Sequence, residues 1–201
     1  RPYDSDAGRA VAGAITAIMT AEAYATSAEL ASRLGPFAEF PRNRRPMLNV
    51  MQMHRQAVED IDPEHCPPEL LAAARAGWDE AIAAGSMYGY RNAQVTLLAP
   101  TGTIGFMMDC DTTGIEPDIA LVKYKHLAGG GMFKLVNRTV SMALERLGYD
   151  RDQVAEILKY IEENDTIEGA PGLADEHLSV FDCAFKPANG ARSIHLSLIH
   201  I

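Results

Sequence analysis

Ala93-Gln94-Val95-Thr96-Leu97-Leu98-Ala99-Pro100-Thr101-Gly102-Thr103-Ile104-Gly105 is an uncharged run that stops at a proline and turns through two glycines. Residues 93–99 are short and mostly apolar and are bounded by turn signals, a pattern that predicts a buried strand, parallel to its neighbours. A helix start is predicted to follow. Backbone N–H groups in a first helical turn have no acceptor within the helix, and the helix dipole adds partial positive charge there. Gly102 and Gly105 allow close approach of an anion, and Thr101 and Thr103 add hydroxyl donors. The Gly-Lys-Ser/Thr of a Walker A loop is missing. Composition alone leaves two readings open: an anion cradle, or a plain strand-to-helix turn with a threonine cap.

Upstream, the periodicity predicts helices. Val11, Ala14, Ile15, Ile18 and Met19 form an amphipathic stripe, and Ser27 opens a shorter helix that Gly35 and Pro36 stop. Beyond a basic patch (Arg42, Arg44, Arg45), a third helix carries Met47, Val50, Met51, His54 and Val58 on one face. Such a stripe reads as core, with His54 a hydrogen-bonded core histidine rather than a ligand. Pro67-Pro68 starts a fourth helix that runs to about Ala84 and ends at Gly85.

Downstream, Ile115-Glu116-Pro117 and Ile119 to Val122 read as a second short buried segment. The glycines at 129–131 free a long helix from about Met132 to Leu147, closed by Gly148. Asp150 caps a further helix through Val154, Ile157, Leu158 and Ile161. No internal repeat or low-complexity linker marks a domain boundary.

Hydrophobic residues at 47% and charged residues at 22% describe an ordinary globular protein. A net charge of −9 argues against broad nucleic-acid binding, which needs a basic surface. No apolar run approaches the roughly 20 residues that span a bilayer, so no membrane partner is expected. The opening Arg1-Pro2-Tyr3-Asp4 lacks an initiator Met and a signal layout, so the chain is read as cytoplasmic and as starting within a longer polypeptide. Cys66, Cys110 and Cys183 are far apart, odd in number and without a C-x-x-C pair, which predicts free thiols. No metal site is expected: His65 and Cys66 stand alone, and the spacing of His195 and His200 is poor.

The residues around the turn narrow the choice. Residues 91–117, from Arg91-Asn92 through Met108-Asp109-Cys110-Asp111-Thr112-Thr113-Gly114-Ile115-Glu116-Pro117, closely resemble class II, adenosylcobalamin-dependent ribonucleotide reductase. The resemblance continues through Leu121-Val122-Lys123-Tyr124-Lys125 and Gly129-Gly130-Gly131-Met132-Phe133-Lys134. It resumes at Gly169-Ala170-Pro171 and at Phe181-Asp182-Cys183-Ala184-Phe185, and the helices around Ala23 to Ala31 and Asn49 to His54 share it.

The resemblance implies an α/β fold: a helix-rich, incomplete part of the C-terminal half of a ten-stranded α/β barrel, spanning residues 1–195. It implies reduction of ribonucleoside diphosphates or triphosphates to 2′-deoxyribonucleotides, started by an adenosylcobalamin-derived radical that passes to a cysteine on a finger loop. Substrate phosphates would rest on Pro100, Thr101, Gly102, Thr103 and Ile104, fixing the ribose for chemistry done elsewhere. Further implied partners are a thioredoxin-type reductant, an allosteric nucleotide effector bound outside this chain, and a second copy in a homodimer.

The family's finger loop carries Asn-x-Cys-x-Glu, a spacing that does not occur in these 201 residues. No catalytic residue is therefore assigned, and the chain alone is expected to be inactive. Cys110 and Cys183 are read as inert thiols. Residues 196–201, after Arg192-Ser193-Ile194-His195, depart from the family and are read as a non-native tail. An alternative of another class is a non-catalytic nucleotide-phosphate-binding module; a third is a structural helical domain in which residues 100–105 are only a capped turn.

Overall fold

The computed structural model describes residues 1–126 and 129–195, without the side chains of Phe106, Lys125 and Phe133. Its contacts fall into two compact units, Asp6–Leu97 and Arg1–Ser5 with Leu98–Ile201. The parting lies inside the stretch read as one strand, where the sequence carries no linker.

The first unit is helical: α1 (Asp6–Leu34), α2 (Phe40–Ala57), a 3-10 turn (Val58–Asp60) and α3 (Pro68–Tyr88). In α1 the buried face runs through Ala10, Ala14, Ala21, Tyr24, Ala28 and Ala31. This corrects the expected stripe, because Ile15 and Met19 are exposed. Small side chains win the interface because α1 and α3 pack closely: a Cβ on Gly77 would lie 3.2 Å from the Ala21 Cβ. On α3 the matching face is Leu71, Ala74, Trp78, Ala81 and Gly85, spaced three and four apart. Between α2 and α3, Arg44 donates to the Ser86 carbonyl at 2.6 Å and Arg55 to the Asp79 carboxylate at 2.7 Å, so these helices run antiparallel.

Three further expectations change in this unit. Ser27 opens no new helix; it lies inside α1, where its buried hydroxyl donates to Asn92 Oδ1 (3.1 Å) and accepts from the Asn92 N–H (2.9 Å). Gly85 does not end α3 but makes room for the Tyr90 ring, and the helix runs on to Tyr88. His54 is exposed and stacks on the buried Trp78, with ring centroids 5.2 Å apart and planes 10° from parallel. Met51 and Val58 do enter the core as expected.

Residues 93–99 form no strand. A parallel strand needs neighbours for its ladder, and here one carbonyl and one hydroxyl of the segment meet α1 instead. The Tyr24 hydroxyl donates to the Ala93 carbonyl (3.4 Å), and the Thr20 and Thr96 hydroxyls lie 3.1 Å apart. Leu97 and Leu98, expected to be buried, are 72% and 63% exposed.

The second unit contains α4 (Gly102–Met107), β1 (Val122–His126), β2 (Met132–Val136), α5 (Thr139–Arg146), α6 (Arg151–Asn164) and a 3-10 segment (Asp175–Phe181). The long helix expected from Met132 is instead a strand followed by a shorter helix. β2 pairs antiparallel with β1, Val122 opposite Val136 and His126 opposite Met132. Asn137 ends the strand and starts α5: its Oδ1 accepts from the Thr139 N–H (2.9 Å) and hydroxyl (2.6 Å). α6 begins as expected, with Asp150 and Gln153 forming a reciprocal capping box. Val140, Leu144, Val154, Ile157, Ile161 and Phe181 form the core of this unit. Among the described residues the sheet has two strands and closes no barrel.

Candidate functional site

The five residues singled out by sequence lie together at the entry to α4. Pro100 and Thr101 precede it, and Gly102, Thr103 and Ile104 form its first turn. Pro100, Gly102, Thr103 and Ile104 are exposed, and Thr101 is half-buried. Thr101 has φ 47°, a left-handed conformation that a β-branched residue rarely adopts. Its carbonyl accepts from the Gly105 N–H at 2.8 Å, closing the first helical bond. The N–H groups of Gly102, Thr103 and Ile104 precede that bond and have no acceptor within the helix. No atom lies within 4 Å of where a Gly102 Cβ would sit, so the backbone is open on that side. α4 has only six residues, so its dipole is small. Any anion held here would depend on individual N–H and O–H donors.

The exit from α4 is tied down by charge. The Ile104 carbonyl accepts from the Met108 N–H (2.9 Å), and that of Gly105 from the Cys110 N–H (2.9 Å), across a left-handed Asp109 (φ 57°). Arg138 pairs with the Asp109 carboxylate at 2.8 Å and donates to its carbonyl at 2.7 Å; its Nε lies 3.5 Å from Asp111. These carboxylates raise the pKa of the Arg138 guanidinium, the Asp109 hydrogen bond contributing most. Lys123 meets Asp118 at 2.5 Å and donates to the Asp111 carbonyl at 2.6 Å. Asn137 donates to the other Asp118 oxygen at 2.6 Å. Both cations thus already hold acidic partners.

Gly114 lies against the loop's entry, with φ 60°. A Cβ there would lie 2.9 Å from the Ala99 carbonyl oxygen and 3.2 Å from Thr101 Oγ1. The sequence assigns no site role to Gly114 or to Arg138. The glycine after Thr112-Thr113 was a usable turn signal, but nothing local announces an ion pair that spans 29 positions.

The three cysteines are free. Cys66 and Cys183 are buried, whereas Cys110, read with Cys183 as an inert thiol, is exposed. Burial pushes the Cys183 thiol up to about 12, and the nearby Asp118 carboxylate adds to the effect. It therefore stays protonated at neutral pH and is a poor nucleophile. Among the described residues, no group of three or more His, Cys, Asp or Glu is placed to hold a metal ion. No described helix is long and apolar enough to cross a membrane. Expectations for residues 196–201, including His200, lie outside the described residues.

A cavity of about 240 Å³ in the second unit is lined by Leu121, Tyr124, Ile167, Phe181, Cys183 and Arg192, among others. Pockets for drug-sized ligands run to roughly 300–1,000 Å³. This cavity is too small for a corrin ring.

Among the described residues this open loop belongs to a helix-rich chain whose two strands close no barrel. The profile of the ribonucleotide reductase barrel domain matches residues 1–197, and the chain belongs to that family. A vitamin B12-dependent ribonucleotide reductase from Rhodopirellula baltica is 65% identical over 193 residues, covering 96% of this chain and 18% of the relative. Proteins of the same name from Agrobacterium fabrum and Streptomyces avermitilis are 48% and 49% identical. They cover 93% and 96% of this chain, and it covers 17% and 20% of them. The chain thus spans about a fifth of the length of these curated relatives.

Proposed function

We propose that this chain is the substrate-phosphate segment of a vitamin B12-dependent ribonucleotide reductase. One observation carries the reading: a family match over nearly the whole chain, with 65% identity to a relative of that name. Pro100, Thr101, Gly102, Thr103 and Ile104 hold the phosphates of a ribonucleoside diphosphate or triphosphate. The open N–H groups at 102–104 and the Thr101 and Thr103 hydroxyls are the donors. Their task is orientation: fixed phosphates present the ribose to the reacting groups, which removes much of the entropic barrier.

Adenosylcobalamin, when bound, supplies the radical that starts the reduction. No described residue of this chain is assigned to it. The cysteine that carries the radical lies outside these 201 residues, as does the effector nucleotide's site. A thioredoxin-type reductant, a homodimeric assembly and a cytoplasmic location complete the reading.

The test is a chimera in which this chain replaces the matching segment of the Rhodopirellula baltica reductase. Adenosylcobalamin-dependent formation of deoxyribonucleotides is expected. A folded chimera that binds cobalamin but forms no deoxyribonucleotide contradicts the proposal.

A further inference from the structure

The strained residue of the phosphate loop is Thr101. Left-handed torsions are strained for a β-branched residue and persist only where the surroundings enforce them. The chain after α4 supplies that enforcement. Thr112 and Gly114 return beneath the loop: Gly105, buried, faces the Thr112 carbonyl, and Gly114 abuts the Ala99 carbonyl and Thr101 Oγ1. Any side chain on Gly114 would enter space that Ala99 and Thr101 already fill. The next residue is held as well, because the Tyr3 hydroxyl donates to the Ile115 carbonyl at 3.0 Å.

We infer that Gly114, anchored through Ile115 by Tyr3, is the positioning residue that holds Thr101 in its left-handed conformation and so aims the donors of the loop. Gly114 itself touches no substrate. The inference rests on the phosphate-loop reading above and adds the element that sets the loop's geometry. The mechanism is steric: a Cβ on Gly114 would lie 2.9 Å from the Ala99 oxygen and 3.2 Å from Thr101 Oγ1, so a side chain there would displace the loop entry.

The experiment measures steady-state kinetics of the chimera with a ribonucleotide, and with the corresponding nucleoside, which has no phosphates. G114A is expected to raise KM for the nucleotide about ten-fold or more with a smaller change in kcat, since displaced positioning groups cost up to about a hundred-fold. It should leave the residual reaction of the nucleoside unchanged, a split that general destabilisation would not produce. Gly148→Ala is the control. Gly148 has φ 98° with open space around it, so this variant has a similar backbone penalty without the clash and should keep the native KM.

Y3F removes only the anchoring hydroxyl and serves if G114A fails to fold; a rise in KM of about two-fold or more is expected, in line with loss of one hydrogen bond. An unchanged nucleotide KM in folded G114A, or in Y3F where G114A does not fold, overturns the inference. The loop variant T101V/T103V separates the two levels. If it raises KM while G114A and Y3F do not, the loop reading stands and the brace falls. If it does not raise KM, the loop reading fails and takes the brace with it.

Discussion

The Tyr90 ring occupies the space a side chain at Gly85 would need: a Cβ there would lie 2.0 Å from Tyr90 Cζ. The Tyr90 hydroxyl donates to the Ala81 carbonyl at 2.9 Å, and the residue is fully buried. Tyr24 and Phe40 meet the same ring edge-on. G85A is therefore expected to destabilise the helical unit by about 3 kcal/mol, at the upper end for overpacking. Y90F, which keeps the ring and loses one bond, should cost about 1 kcal/mol. Urea denaturation followed by Trp78 fluorescence reports both. A G85A variant as stable as the parent would mean that Tyr90 does not sit in this notch.

The thiols should divide by burial. In the native chain a thiol reagent at pH 8 is expected to label Cys110 and spare Cys66 and Cys183, with all three reacting after denaturation. Prompt native labelling of Cys183 would contradict its placement.

Raised pKa values also set an alkaline limit. Cys183 moves from 9.0 to about 12, and Tyr90 from 10.0 to about 12, both chiefly through burial. Above pH 9 the unfolded chain releases these protons first, so it binds fewer than the native chain and stability falls. Loss is expected from pH 9 for the cysteine and from pH 10 for the tyrosine, levelling near 12. C183A and Y90F should each flatten their part of the profile. At the acid end Glu59, paired with Arg75 and Arg55, is lowered to about 2. Its contribution is complete above the unfolded value near 4.5 and disappears as the pH falls through about 2.

Apolar side chains on the surface carry a further expectation. Met107 is 81% exposed, and Leu97, Leu98 and Met108 also face solvent. The isolated chain should bind a hydrophobic dye such as ANS and self-associate at micromolar concentration. A soluble monomer with one sharp unfolding transition would count against this account.

Local signals were legible in the sequence where the structure is local. The Asp150 capping box, the first-turn Pro68 of α3 and the helix start after Pro100 all depend on neighbours within a few residues. The errors arose where tertiary context decides. Residues 93–99 have the composition of a buried strand, yet among the described residues their partners are side chains of α1. Met132–Val136 follows a glycine run that suggested a helix start, and pairing with Val122–His126 overrode it. Ile15 and Met19 looked like the core face of α1, but close approach to α3 favoured alanine. The loop residues were singled out in the sequence through backbone chemistry and family resemblance together, and they lie together at the entry to α4. Thr101's left-handed torsion and the Gly114 brace belong to the folded chain alone.

The central claim is that residues 100–104 bind substrate phosphate, and the most direct measurement is nucleotide affinity. Calorimetric titration of a ribonucleoside diphosphate and a triphosphate into the chimera should give binding that T101V/T103V weakens at least about ten-fold, as expected when two hydrogen bonds to a charged group are lost. Gly102→Pro, which removes a backbone donor, should weaken it too. Affinity unchanged by both variants in folded protein would contradict the assignment of the loop.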